Sequence, residues 1–388
     1  MKFTINAKEL KTMIEKGMTA INKKATLSFM KRLYFTTEND GIIKVLGTDT
    51  EHFVEIKSIN AWDVVSGTFG IDIDDIKVLL KMNGNITLED DGQKINVKCG
   101  KKIVTISKYE NEDILLPVME TEEQILTVKE SQILTVKESW LLDTLVNLYP
   151  FTSNDDYRKI LQAFNFNTKD KRIEAIDSYV IGMRTLEKQE IVKDESIMMH
   201  RKCVQVFKKI MDKKSNANIK IYQDKKYIKV EGNDFTYIIR RIEGEYYNIN
   251  KMLTSDNDYN FIANKENILS VMKFNCDLLN KEKKPVIFHS ENGKLYSYMK
   301  TSKYETFDEL ETKDIQMSND LYIGFNPNYL VNALSIIDND NPICRGKNDK
   351  SPMYIEGNEY QFMILPIYIK DEIDFNHIKE LINRGNVA

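Results

Sequence analysis

The 388-residue chain is poor in the residues that most active sites need. Its four cysteines, Cys99, Cys203, Cys276 and Cys344, are scattered with no paired spacing for metal or redox work. They sit in apolar-patterned stretches and read as inert buried thiols. The four histidines, His52, His200, His289 and His377, lie far apart, and neither HExxH nor HxxEH spacing occurs. No glycine loop cradles a phosphate, because Asn341 holds the place of the glycine required upstream of Gly346-Lys347. Asp72, Asp74 and Asp75 cluster, but at a predicted helix start, where the helix dipole alone favours acid. No Ser-His-Asp order stands out, so no catalysis, metal or cofactor is expected. With only 7 prolines and 16 glycines, long flexible linkers are not expected either. No apolar run reaches membrane-spanning length, and the opening MKFTINAKEL lacks the apolar middle of a signal peptide. A cytoplasmic protein without membrane contact is the expectation. Lys and Arg number 55 against 59 Asp and Glu, a net charge of −4, so any basic contact surface has to be local.

What the chain does have is real cores and a repeat. Hydrophobic residues make up 42% and charged residues 29%, proportions of a globular chain. One block recurs three times: a short strand, an amphipathic helix, a loop, then two strands joined by a polar turn. The turns are Asn39-Asp40-Gly41, Lys169-Asp170-Lys171 and Glu291-Asn292-Gly293. Gly41 and Gly293 stand 252 residues apart, two steps of 126, which is a domain period and too long for a solenoid.

Each repeat divides again into halves. Apolar residues at helical spacing mark the first-half helices: Leu10, Met13, Ile14, Met18 and Ile21, then Leu141, Leu142, Leu145, Val146 and Tyr149, then Ile268, Met272, Cys276 and Leu279. Second-half helices follow Ile71-Asp72, Met199-His200 and Phe325-Asn326. Strand pairs of alternating polarity, such as NIKIYQ-DKK-YIKVEG, come after them. The expected fold is α+β, with three similar domains each built of two halves of one helix and about four strands. The expected domains are 1–122, 123–254 and 255–369, with a C-terminal extension at 370–388. Edge strands at each repeat's ends would be unpaired unless neighbours extend the sheet, which suggests one outer sheet through all three repeats and, with a second copy, a ring. QILTVKES stands at Gln124–Ser131 and again at Gln132–Ser139. The second copy reads as the first strand of the middle repeat, the first as linker or added strand.

With that layout, several segments resemble the bacterial DNA polymerase III β subunit, the sliding clamp. They are MKFTINAKEL, ATLSFMKRLYF and GTDTE in the first repeat, DYRKILQAFNF in the second, and IGFNPNYLVNAL, SPMYI and QFMILPI in the third. The resemblance covers nearly the whole chain in order. It implies a non-catalytic homodimeric ring that encircles duplex DNA without reading sequence. It also implies that the ring tethers the DNA polymerase III alpha subunit, the clamp loader and other proteins carrying a clamp-binding motif, through a peptide pocket between the second and third domains. Carried over position by position, the pocket takes Leu161, Ile176, Ser178 and Ile181 from the middle repeat. Tyr247, Lys251 and Met252 come from the connection, and Asn326, Tyr329, Met363, Ile364, Leu365, Pro366 and Ile367 from the third repeat. MILPI carries a proline, Pro366, which suits a strand edge; without the resemblance it reads rather as the last core strand.

The sequence departs from the family at Asp177-Ser178-Tyr179-Val180-Ile181 and at Tyr246-Tyr247-Asn248-Ile249, which make the pocket bulkier. It also continues past the usual end. In that tail Phe375, Ile378, Leu381 and Ile382 fit one helical face, which either flanks the peptide groove or packs on its own domain.

Basic clusters recur at similar places in the repeats: Lys23 and Lys24; Arg158 and Lys159; Arg201, Lys202, Lys209 and Lys213; and Lys281, Lys283 and Lys284. Lys202, Lys209 and Lys213 form a stripe opposite Cys203, Phe207, Ile210 and Met211. Similar positions in the family touch DNA, while a solvated helix face is the plain alternative. The family's dimer contact would fall on Val104, Ile106, Leu278 and Leu279, which read equally as core. Two alternatives stay open: a protein-binding adaptor built from repeated domains, and a phage or mobile-element clamp with divergent partners.

Overall fold

A computed structural model describes residues 1–38, 41–109, 132–253, 256–318, 321–369 and 374–385. The first QILTVKES copy and the proposed boundary at 122/123 lie outside the described residues. Six helices stand where the apolar periodicity places them: α1 (Ala7–Gly17), α2 (Ile73–Leu79), α3 (Glu138–Leu148), α4 (Cys203–Ile210), α5 (Lys265–Leu278) and α6 (Pro327–Ile336). Four start on a side-chain cap. Asn6, Asp72, Asn264 and Asn326 accept from the backbone N–H of Lys8, Asp74, Asn267 and Asn328. Asp72 is therefore a cap, and Asp74 pairs with Lys77 at 2.6 Å, so the acidic cluster is explained by helix initiation. No group of metal-ligating side chains occurs among the described residues. No described helix is long and apolar enough to cross a membrane.

The chain forms two compact units, Met1–Val146 with Gln189–Glu243, and 147–188 with 244–388. In the first unit, nine antiparallel strands run in the order β14 (Glu190–Ile191), β10 (Gln132–Lys137), β16 (Asn218–Gln223), β17 (Tyr227–Glu231), β18 (Phe235–Arg240), β4 (His52–Ser58), β3 (Ile43–Thr48), β2 (Arg32–Thr37) and β6 (Gly67–Asp72). β15 (Ser196–His200) leads into α4. A five-stranded sheet orders β5 (Trp62–Val65), β1 (Lys2–Asn6), β7 (Asn85–Asp90), β8 (Lys94–Cys99) and β9 (Lys102–Ser107).

In the second unit, β11 (Ala163–Asn167), β12 (Arg172–Asp177), β13 (Val180–Thr185), β27 (Tyr360–Ile364), β26 (Met353–Glu356), β25 (Ile343–Gly346), β19 (Tyr259–Ala263) and β23 (Thr312–Gln316) lie side by side. A four-stranded sheet orders β22 (Glu305–Leu310), β21 (Lys294–Lys300), β20 (Val286–Glu291) and β24 (Tyr322–Phe325).

The sheets differ from the sequence expectation. The single outer sheet is instead two separate ones, each crossing a repeat boundary once, at β18–β4 and at β27–β13. The strand that opens each repeat is shared, pairing on one side with β5, β14 or β23 and on the other with a strand of the second half. β1, β10 and β19 pair with β7, β16 and β25, the strands after the second helix. That sharing ties the halves of a repeat together and explains why the compact units cut through the middle repeat.

Buried rings fill the space between helices and sheets. Phe35 and Phe69 sit 5.5 Å apart in the first unit, and Phe151 and Phe362 sit 4.8 Å apart in the second. Gly47 is obligatory where α1 meets β3, since a Cβ there would lie 2.1 Å from the Gly17 carbonyl oxygen. All four cysteines are free thiols. Burial raises Cys344 to about 12 and Cys276 to about 11, which leaves them unreactive at neutral pH.

The tail residues 375–385 form α7 (Phe375–Gly385). Its Ile378 and Ile382 are buried against Ile287, Tyr296 and Tyr298 of the four-stranded sheet, so the helix packs on its own repeat.

Candidate functional site

The second unit contains an apolar concavity of about 520 Å3. Its floor is strand-built: Ile176 from β12, Ile181 from β13 and Met363 from β27. The pairing of Ile181 with Met363 sets these side chains next to each other, because directly opposed residues in an antiparallel pair share a face. Leu161, Met252, Pro352 and Leu365 close the sides. Beneath lies a cluster that includes Met183, Ile249 and Tyr354, whose hydroxyl donates to the Met252 carbonyl at 3.2 Å. Tyr179 and Tyr247 stand at the mouth, 62% and 43% exposed. Two large rings half in water at the lip of an apolar pocket suit a partner that brings its own apolar side chains.

One side of the rim is polar. The Arg158 guanidinium donates to Ser178 Oγ at 2.6 Å and to Asp155 Oδ2 at 2.7 Å. The bond from Arg158, with a second from the Tyr157 N–H, holds the Asp155 carboxyl below its usual range. A buried network secures the connection that carries Tyr247 and Met252. Glu174 accepts from Asn165 at 2.7 Å and from Arg172 at 2.6 Å, and Arg172 also donates to Asn250 at 2.7 Å. Burial outweighs those donors and raises the Glu174 pKa.

Eight positions named from the resemblance meet in this concavity: Leu161, Ile176, Ser178, Ile181, Tyr247, Met252, Met363 and Leu365. The other six do not line it. Ile364 points into the core and is fully buried, because it alternates with Met363 along β27. Asn326 caps α6, and Tyr329 sits in the first turn of that helix, half-buried. Lys251 is exposed in a short turn. Pro366 leads the chain away, and Ile367 donates its N–H to Gly324 at 2.7 Å. Arg158, expected from sequence to contact DNA, stands at this rim. Tyr179, Val180 and Pro352 were missed as lining, although Tyr179 and Val180 lie in the divergent segment already singled out.

The remaining basic residues are mostly presented to solvent. Lys23 and Lys24 occupy a turn after α1, Lys159 begins a short turn, and Lys281, Lys283 and Lys284 follow α5, all exposed. Lys202 is the N-cap of α4 and Lys213 lies beyond its end, so of the stripe only Lys209 stands on the helix itself. Arg201 is only 7% exposed and offers no open guanidinium. His200, beside it, has its pKa lowered to about 4 by burial and then by the charge of Lys202.

Val104 and Ile106 sit on β9, the edge strand of the five-stranded sheet, half-buried and buried respectively. Leu278 ends α5, half-buried, and the adjoining Leu279 is buried. More exposed than any of these are Ile103 on β9, at 66%, and Phe274 on α5, at 57%.

No protein-family model matches the chain. The Beta sliding clamp of Staphylococcus epidermidis is 22% identical over 360 residues, covering 88% of this chain and 91% of that protein. The Beta sliding clamp of Staphylococcus aureus is also 22% identical, over 361 residues with the same coverage. Among solved structures, the DNA polymerase sliding clamp of Bacillus subtilis superposes with a TM-score of 0.84 at 15% identity, covering 95% of this chain and all of that one. A putative DNA polymerase III beta subunit from Eubacterium rectale gives 0.82 at 22% identity, with the same coverage. The chain has the sliding-clamp fold.

Proposed function

We propose that this chain is a DNA sliding clamp, a non-catalytic ring of two copies that encircles duplex DNA and tethers replication proteins. The observation that carries this reading is the sheet arithmetic. In the first unit a five-strand block ending in β18 meets a four-strand block beginning with β4. The chain also has a five-strand sheet ending in β9 and a four-strand sheet beginning with β22, and neither edge is paired among the described residues. They are the counterparts of the edges that meet at β18–β4 and β27–β13. A second copy supplies the missing partners of β9 and β22 head to tail, and two such joints close a ring.

The register follows from the two joints inside the chain. Each five-strand block ends in a hairpin with a two-residue turn, and the first strand residue after it is Lys102, Phe235 or Tyr360. Each four-strand block contains a buried phenylalanine, Phe35, Phe166 or Phe288, paired with Val45, Ile173 or Ser297. Those pair in turn with Ile56, Arg184 and Asp308. Phe235 meets Ile56 and Tyr360 meets Arg184. By the same register Lys102 meets Asp308 of the second copy, and Ile103 meets Phe307. The charges agree: the Asp308 carboxyl is pushed up by burial and has no hydrogen-bond or ion-pair partner among the described residues. An uncompensated half-buried carboxylate opposite a free lysine is what an unfilled joint leaves behind.

Within the ring, the exposed lysines Lys23, Lys24, Lys159, Lys202, Lys209, Lys213, Lys281, Lys283 and Lys284 supply weak phosphate contacts that position DNA without reading bases. The apolar concavity takes a short peptide of the polymerase alpha subunit, the clamp loader or another partner, with Tyr179 and Tyr247 folding over it. The three repeats act as domains I to III, and the work is done inside the cell on DNA.

Two measurements test this. The solution mass should be that of a dimer at micromolar concentration; a monomer there would favour the adaptor reading. Loaded protein should stay on nicked circular DNA and slide off once the circle is cut. Equal retention on both forms contradicts a topological tether.

A further inference from the structure

We infer that the C-terminal helix α7 is part of the subunit joint, forming with Phe307 an apolar seat filled by Ile103 of the partner subunit. The inference rests on the ring reading above and extends it to a segment that the ring itself does not need. α7 lies on the face of the four-stranded sheet that carries Ile287, Tyr296 and Tyr298. Its helical phase is fixed by its contacts. Ile378 and Ile382 face down into the sheet, and Phe375 leans to one side, 4.5 Å from the Tyr322 ring on β24. His377 leans to the other, with Nε2 3.2 Å from Glu305 on β22. Leu381, one turn beyond His377, shares that side and is half-buried. The flank of α7 that carries Leu381 therefore faces the free edge of β22.

Phe307 stands on β22 on the same face of the sheet, stacked on Tyr296 with ring centroids 5.4 Å apart. It belongs to the cluster that α7 closes. Across the edge, the register of the two internal joints sets Ile103 of the partner subunit opposite Phe307. Ile103 is 66% exposed in the free chain, an aliphatic side chain on an edge strand with nothing over it. An aromatic opposite a β-branched residue is a favourable cross-strand pair. Leu381 is the adjacent apolar surface. At the two internal joints the corresponding outer-face pairs are Thr236 with Glu55 and Gln361 with Met183, and neither has an aliphatic–aromatic contact. The tail helix and the apolar pair thus go together, at the joint that has to hold without a covalent connection.

The test is a double-mutant cycle on dimerisation of the full chain, using Ile103→Ala and Leu381→Ala, with dissociation followed by sedimentation and folding checked by circular dichroism. Each single variant is expected to weaken each joint about tenfold, the scale of losing an aliphatic side chain's burial. The double variant should weaken it clearly less than the product of the two, since both remove one contact. Full additivity, or a Leu381→Ala dimer as tight as the wild type, overturns the role of the helix. Should the unaltered chain fail to dimerise at all, the ring reading falls with it; dimers that are weakened by Lys102→Glu yet indifferent to Leu381→Ala would remove only the helix. Truncation after Ile369 gives a second readout: peptide binding in the concavity is expected unchanged and the dimer weakened, and an unweakened dimer refutes the inference.

Discussion

Charge reversal at Lys102 and Asp308 probes the joint most directly. Lys102 begins β9 and is exposed, and Asp308 is half-buried on the free edge strand β22. Lys102 shares a strand face with the buried Ile106, and Asp308 with the buried Leu310. The pair is neither fully solvated nor sealed, so it should contribute about 1–2 kcal/mol per joint, above an exposed ion pair and below a desolvated one. Lys102→Glu replaces that attraction with repulsion, which corresponds to roughly a 5- to 30-fold loss at one joint. Complete dissociation of a two-copy ring breaks two identical joints, so the dimer Kd should rise roughly 25- to 900-fold. Lys102→Glu combined with Asp308→Lys should recover most of the loss. The sign of the pH effect is also set. Burial raises the Asp308 pKa in the free chain, and Lys102 across the joint lowers it, so association releases protons and the dimer weakens as pH falls through the raised value. Sedimentation at two salt concentrations measures all of this. A single reversal that leaves the Kd unchanged, or a double reversal no better than either single, would refute the deduced register.

Three further outcomes are expected. Met363→Ala with Leu365→Ala removes two walls of the concavity and should weaken binding of an apolar partner peptide about tenfold or more while leaving the dimer intact; unchanged affinity in a titration removes the pocket assignment. Glu174→Ala strips the acceptor from Asn165 and Arg172 under the connection carrying Tyr247, and should cost about 3 kcal/mol in chemical denaturation because it leaves the Arg172 charge poorly paired. Denaturation of the first unit should also depend on pH through His200. Its folded pKa of about 4 lies below the unfolded value, so the unfolded chain takes up the proton first. The stability is whole above pH 6.5 and drains away toward pH 4, by about 1–2 kcal/mol once screening is allowed for. His200→Gln should flatten that slope, and an unaltered slope would assign it to other groups.

How far the sequence carried the fold depended on whether a feature was local. The helices were legible because stripes such as Leu10, Met13 and Ile14 repeat at helical spacing, and caps such as Asp72 and Asn326 precede them. The strand sharing was not, since β1 reads the same whether it pairs with β5, β7 or β2, and only closure of the sheet decides. Pocket residues were legible where a resembling motif put them on alternating strand positions, as with Ile176, Ile181 and Met363. The carry-over slipped where it ran through a contiguous segment: Met363 to Ile367 cannot all face one concavity, because Ile364 must turn to the core when Met363 does not. The place of Arg158 was illegible for the opposite reason: it is a basic residue in a loop whose three-dimensional neighbour, Ser178, is 20 residues away. Ile103 and Asp308 carry no sequence signal at all in isolation. One is an aliphatic in an alternating strand, the other an acid among acids, and each becomes informative only when the two filled joints reveal what should stand across from it. A repeat protein in this way contains its own control: two junctions satisfied within the chain predict, residue by residue, the chemistry expected of a third formed with a second copy.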